Sequence, residues 1–386
     1  MIQNRSIQDY IFVIVVALMA IGALFVFSAA ADINQQIQLD NFYRFTALRQ
    51  LMFFPLAVMV MVCFSFFNYR KLAIPNNFLK SHAVWLMILS IIFSAAVLFP
   101  KFGTEINYAR RWLRIPLGSI SLSFQPSELA KWSTIFFVSA YCDRFHDSLG
   151  LYRKRFIPIC TIVAFVVGLI LIEDFGTAAF IAILSFIILI AAGVKFTHIL
   201  TLAPPALVAF LVALFSSKAR IARITAFLNP SDFADSANYQ ANQSLIALGS
   251  GEVWGKGLGR GICKYGHLPE DTTDFIFAII GEEMGLIGTA AVIILFMFFV
   301  WLGFLVVIRC KDRLGRFLAC GIVIAVGMQA AINIGVVTVV LPTKGIPLPF
   351  ISAGGTSLLI SAAAIGILLN IAKQLPGPAS MENTHD

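Results

Sequence analysis

Five carboxylates fall within residues 268–285, a stretch reading Leu-Pro-Glu-Asp-Thr-Thr-Asp-Phe-Ile-Phe-Ala-Ile-Ile-Gly-Glu-Glu-Met-Gly. Glu270, Asp271 and Asp274 crowd the point where a polar loop becomes a long apolar run, and Glu282 and Glu283 follow inside the run. Carboxylates at the mouth of a membrane span are costly, and they are kept where they line a water-filled cavity or a substrate path. Acids in the first turn of a helix are favoured by its dipole, which accounts for Asp271 and Asp274 without any function. It does not account for the two glutamates further in. The stretch is therefore the candidate reactive centre, with an acid placed to act as a general base.

Two further stretches carry charge or broken backbone. The first runs Asn107-Tyr108-Ala109-Arg110-Arg111-Trp112 and, after a short gap, Phe124-Gln125-Pro126-Ser127-Glu128-Leu129-Ala130-Lys131-Trp132. Pro126 suits the first turn of a helix. Glu128 and Lys131 then share one face, with Lys131 about 7 Å below the helix start. Lys131 is either half of an internal ion pair or a buried cation aimed at phosphate, with Arg110 and Arg111 above it. The second stretch, residues 341–357, holds Pro342, Pro347 and Pro349 with Gly345, Gly354 and Gly355, which precludes continuous helix. Irregular backbone at membrane depth is tolerated where it lines a cavity. Lys344 and the small and hydroxyl residues from Ser352 to Ser357 fit such a lining.

Other motifs point to less. The run Gly255-Lys256-Gly257-Leu258-Gly259-Arg260-Gly261 fits neither the Walker nor the dinucleotide spacing, and a mobile loop over the cavity is expected there. His267 is a lone loop histidine without a zinc-ligand pattern near it.

The elements that position these residues are membrane spans. With 59% apolar residues, 12% charged and 36 Phe, the chain reads as an all-α polytopic membrane protein in a single domain over residues 1–386. Apolar runs at about 11–31, 51–67, 83–99, 129–141, 156–172, 176–194, 198–215, 275–308, 317–340 and 356–371 predict about ten transmembrane helices. The first is read as a retained helix, longer than a signal-peptide core. The eighth is long enough to tilt or project. A long extracytoplasmic loop, 216–273, separates the seventh and eighth, and residues 373–386 form a short cytoplasmic tail. Six cysteines make no disulfide framework.

Short loops rich in Lys and Arg follow the second, fourth and eighth spans, which places them and both termini in the cytoplasm. The candidate centre then faces outward. The opposite side also carries Lys101, Arg110, Arg111, Arg114, Lys218, Arg220, Arg223, Lys256, Arg260, Lys264 and Lys344 against that rule. Together with the net charge of +8, these suggest a negatively charged ligand at the outer face.

The ordered motifs resemble one family, the SEDS proteins of bacterial cell-wall synthesis, which include FtsW and RodA. The resemblance rests on residues 107–112, Gln125-Pro126-Ser127-Glu128 with Lys131, and Asp174-Phe175-Gly176-Thr177-Ala178. It continues through Gly249-Ser250-Gly251, Gly255-Lys256-Gly257, Leu268-Pro269-Glu270, Asp274-Phe275-Ile276-Phe277 and residues 333–357, nearly the whole chain. Tyr108, Glu173 and Thr272 depart from the usual Gly, Pro and His, and Leu348-Pro349-Phe350-Ile351-Ser352 looks closer to the division-type branch.

The resemblance implies an inverting peptidoglycan glycosyltransferase in the bacterial cytoplasmic (inner) membrane that polymerises lipid II. It also implies a class B penicillin-binding protein transpeptidase and other divisome membrane proteins as partners. Asp274 is expected as the catalytic base. Arg111, Trp112, Gln125, Glu128, Lys131, Glu270, Lys344 and Ser352 are expected around the substrate. A divalent cation, Mg or Mn, could share the charge stabilisation, although the sequence shows no dedicated site for one. A lipid II flippase, an elongation-type (RodA-like) polymerase and a scaffold that only activates the transpeptidase are the alternatives, the first because a charged cavity and broken spans serve transport equally well.

Overall fold

A computed structural model describes residues 4–30, 46–99, 102–106, 109–117, 120–229, 239–264 and 272–375. Ten helices coincide with the expected spans: α1 (Asn4–Ala30), α2 (Thr46–Ser65), α3 (His82–Val97), α4 (Pro126–Arg144), α5 (Ile157–Leu171), α6 (Phe175–Ala191), α7 (Phe196–Phe215), α10 (Ile276–Arg309), α11 (Arg313–Val337) and α12 (Gly355–Lys373). Seven helical stretches are long and apolar enough to cross a membrane by themselves. α3 and α6 are shorter, and α4 carries Glu128 and Lys131 in its first turns. α8 (Lys218–Leu228) and α9 (Tyr239–Ser250) lie within the long loop.

Local signals set the helix ends. Pro126 opens α4, and Asp174 caps α6 by accepting from the backbone N–H groups of Gly176 and Thr177. Asp312 caps α11 through the Gly315 N–H at 3.0 Å. α4 is buried from Pro126 to Cys142 apart from Leu129, and it packs with α6, α11 and α12 at the centre. Small residues let the helices approach closely, as membrane helices require. At Gly366 of α12 a β-carbon would lie 2.5 Å from the Met61 carbonyl oxygen of α2.

Successive spans alternate in direction, so α1, α3, α5, α7 and α11 end where α2, α4, α6, α10 and α12 begin. This shared end, the upper end of the bundle, carries the candidate residues.

Three features depart from the sequence reading. Residues 103–124 form an antiparallel meander, β1 (Gly103–Ile106), β2 (Ala109–Leu117) and β3 (Ile120–Phe124), in the order β1-β2-β3. Its signal was the strict alternation Ile120-Ser121-Leu122-Ser123-Phe124. Second, the eighth run is not one straight helix: α10 breaks at Gly285, where φ is 64° and ψ −157°, a conformation that glycine alone adopts at little cost.

Third, the glycine-rich run is tied down rather than mobile. Its backbone supplies the hydrogen bonds that the broken helix loses. The N–H groups of Lys256 and Gly257 donate to the Glu282 and Glu283 carbonyls at 2.9 and 3.0 Å. The N–H groups of Leu286 and Ile287 donate to the Glu252 and Val253 carbonyls at 2.9 and 3.3 Å. Gly251 and Gly255 make this approach possible, since β-carbons there would collide with the Gly281 and Glu283 carbonyl oxygens of α10.

Candidate active site

Asp274 precedes the first residue of α10 and is fixed by two neighbouring segments. The Asn333 side chain, one turn inside the end of α11, donates from Nδ2 to the Asp274 carbonyl and to the Ile346 carbonyl, both at 2.8 Å. Ser352 Oγ donates to the Thr273 carbonyl at 2.5 Å and accepts from the Leu348 N–H at 2.7 Å. The Ala353 N–H donates to the Thr272 carbonyl at 2.9 Å. Residues 272–274 and 345–353 are thereby one unit.

That unit sits below the upper surface. Ile351 packs on Gly22, about two turns inside α1. Irregular backbone at this depth is tolerated where it is buried in protein, as Leu348, Phe350, Ile351 and Ser352 are. The Asp274 carboxylate lies over Gly345, where a β-carbon would stand 2.6 Å from Oδ2.

Four cations form a cluster that meets this acid through Arg223. Arg223 of α8 is close enough to interact with the charges of Asp274 and Arg111. Lys344 interacts with Asp174, Arg111, Arg223 and Arg220. Lys344 Nζ stands 4.9 Å from the centre of the Phe175 ring, and the Arg220 guanidinium carbon stands 5.0 Å from it. Burial pushes the Lys344 ammonium down to about 8, Asp174 opposes this, and the three arginines add to it. Burial, and then Arg111, also lower Arg223, with Asp274 acting against them. A cluster of like charges of this kind raises the local positive potential.

Arg111 is positioned by the meander. Its Nε donates to the Glu173 carbonyl at 2.9 Å, and the Arg110 N–H donates to Glu173 Oε2 at 2.8 Å. Glu173 thus ties β2 to the start of α6. Trp112 of β2 is half-buried and pairs with Thr104. Gln125 Nε2 donates to Ser127 Oγ at 3.0 Å.

Lys131 is 2% exposed and donates to Glu128 Oε2 at 2.8 Å and to Gln329 Oε1 at 2.9 Å. Gln329 in turn donates to the Pro347 carbonyl at 2.9 Å. Lys131 therefore braces the 345–353 segment from beneath. Ser352 is likewise engaged in both directions by backbone.

Glu282 and Glu283 do not lie deep along a continuous helix. They close its first segment, before the break, and are fully buried among loop residues. Lys256 Nζ reaches Glu282 Oε1 at 2.7 Å, and Lys264 Nζ reaches Glu283 Oε1 at 2.9 Å, with Ser28 of α1 also donating to Glu283 at 2.8 Å. Lys256 and Lys264 are consequently paired with these acids, apart from the cluster around Lys344. His267, Glu270 and Asp271 lie outside the described residues.

Arg220 and Arg223 entered the sequence reading only as outer charges, and Asn333 only as part of the last motif. A signal was present: Arg220 and Arg223 are one helical turn apart on an amphipathic segment. Among the described residues no cluster of three or more His, Cys, Asp or Glu is placed to hold a metal ion.

Fold and site together define a polytopic membrane protein with acids and cations gathered at the upper end of its bundle. Residues 8–376 match the model of the FtsW/RodA/SpoVE cell cycle protein family, and the chain belongs to that family. It is 39% identical over 301 residues to a probable peptidoglycan glycosyltransferase FtsW of Geobacter sp. strain M18, covering 78% of this chain and 81% of that one. A chain from a peptidoglycan synthase complex, described as coordinating polymerization and crosslinking, superposes with a TM-score of 0.70 at 23% identity over 97% and 98% of the two chains. The rod shape determining protein RodA of Thermus thermophilus does so with a TM-score of 0.65 at 24% identity, over 95% and 96%.

Proposed function

We propose that this protein is a peptidoglycan glycosyltransferase that polymerises lipid II at the outer face of the bacterial cytoplasmic membrane. The observation that carries this reading is the cluster of Arg111, Arg220, Arg223 and Lys344, which meets Asp274 through Arg223 and adjoins it at Gly345. Membership of the family and the name of the Geobacter relative support the same activity.

In this reading Asp274 accepts the proton of the acceptor sugar's 4-hydroxyl as its oxygen attacks the donor's anomeric carbon. The carbon–oxygen bond to the pyrophosphate breaks, the anomeric centre inverts, and undecaprenyl pyrophosphate leaves. One base and charge stabilisation of the leaving group suffice for a single displacement. Lys344 and the three arginines supply the second. Lys131, Glu128, Gln329, Asn333 and Ser352 hold the acid and Lys344 at fixed separation. Trp112 and Gln125 belong to the surroundings of the sugar-bearing ligand.

The charge pattern of the loops supports termini in the cytoplasm and a site outside. The division-type residues 348–352 and the FtsW names among relatives favour work at the septum. A class B penicillin-binding protein transpeptidase and further divisome membrane proteins are the partners in this reading. The test is glycan product from purified protein, lipid II and its partner. A flippase would move the lipid without lengthening glycan, and a scaffold would tolerate neutral changes at Arg111 and Lys344.

A further inference from the structure

The loop that repairs the break in α10 carries an apolar surface that nothing in the proposed chemistry uses. Trp254 is 81% exposed, and Val253, Leu258 and Ile262 are each about half exposed. Free loops keep such side chains out of water by collapsing, but this one is held by the four backbone hydrogen bonds across the break. Its exposed side chains are therefore presented, and their height is fixed.

That height coincides with the edge of the bilayer. Residues 286–309 extend about 36 Å along a helix, slightly more than the roughly 30 Å of hydrocarbon they must cross. Their first turn thus stands at the upper boundary, and the Leu286 and Ile287 N–H groups are the ones bonded to Glu252 and Val253. Leu286 and Ile287 are themselves exposed, as are Ile294, Met297, Phe298 and Trp301 further along the same span. The patch on the loop meets the exposed apolar surface of α10 at Leu286 and Ile287, with the exposed Glu252 at the junction. Arg260, exposed beside it, is suited to the headgroup layer.

We propose that residues 252–262 form a membrane anchor, with Trp254 seated in the headgroup–acyl boundary beside the first turn of the α10 span. An indole ring has the amphipathic character that this layer selects. Lys256–Glu282 and Lys264–Glu283 join the anchor to the segment that follows Asp274, so the anchor sets the height of the site relative to lipid headgroups.

The full-length protein is reconstituted in phosphatidylethanolamine–phosphatidylglycerol vesicles, with and without phosphatidylcholine brominated near the headgroup end of its acyl chains. The Trp254 signal is the fluorescence difference between the unaltered protein and Trp254→Phe, a change mild enough to preserve the fold. Brominated lipid is expected to remove most of that difference signal, and aqueous iodide to leave it nearly intact. The reverse pattern, with iodide quenching and no loss to brominated lipid, overturns the proposal. Iodide quenching that disappears when a partner protein is added also overturns it, in favour of a protein-docking patch. Trp301, on the lipid-facing side of α10, reports in the Trp254→Phe protein that brominated lipid is present around the bundle.

Discussion

The carboxylate of Asp274 rests on the backbone of Gly345, so close that a methyl group on Gly345 would stand 2.6 Å from Oδ2. The same short segment continues from Lys344, and Asn333 ties Asp274 and Ile346 through one amide. An acid from the start of one span and a cation from the re-entrant connection of two others are thereby locked in one geometry.

Gly345→Ala tests whether that geometry matters. The group displaced is the end of a flexible side chain, so the fold should survive with little loss of stability. A misplacement of about 1 Å near the reacting atoms costs on the order of 10²-fold in rate. Polymerisation should fall by roughly that factor while expression and thermal unfolding stay near those of the unaltered protein. Unchanged polymerisation would mean that the resting position of Asp274 is not the reacting one.

Lys344 gives a pH dependence. Its amine, brought down to about 8, is charged below that pH and neutral above it. Affinity for a pyrophosphate-bearing lipid should therefore be full below about pH 8 and fall as pH rises through it. Lys344→Arg keeps the charge and should move the alkaline limb upward. An identical limb in that variant would assign it to another group.

Lys131 and Glu128 form a pair in which both partners are buried. Lys131→Met leaves Glu128 uncompensated and should cost about 3–5 kcal/mol of stability. Lys131→Met with Glu128→Gln should recover most of it, and polymerisation should follow stability, since Lys131 braces the site through Gln329. A well-folded double variant without activity would show instead that the Lys131 charge acts on substrate.

The clamp between Lys264 and Glu283 is more deeply buried still, at 1% and 0% side-chain exposure. Lys264→Met should again cost about 3–5 kcal/mol, seen as a lower unfolding temperature in detergent. Adding Glu283→Gln should restore most of the loss. Wild-type stability in Lys264→Met would show that the loop is held by its backbone bonds alone.

Much of this was legible in the residues. Apolar runs located ten helices of the bundle, seven of them long and apolar enough to cross a membrane by themselves, because a bilayer imposes a length and a composition that few other structures share. Pro342, Pro347 and Pro349 marked the re-entrant connection, since helix could not form there. The break at Gly285 was not legible. Glycine is tolerated within membrane helices, and only the backbone of residues 251–257, distant in sequence, makes a break stable. The pairing of Lys256 and Lys264 was hidden for the same reason: charge type shows in sequence, whereas partner choice depends on tertiary contact. Arg220 and Arg223 joined the site because α8 folds back over it, a placement that helical periodicity alone does not supply.

The most direct test of the account is polymerisation by Asp274→Asn, assayed with purified protein, lipid II and the partner transpeptidase. The amide keeps the shape of the side chain and its place over Gly345 but cannot accept the proton. Removal of a general base costs about 10²–10⁴-fold. The account predicts retained binding of lipid II and of the partner, with almost no glycan strand formed. Near-normal glycan synthesis by Asp274→Asn would contradict it and move the base to another carboxylate, Glu270 first.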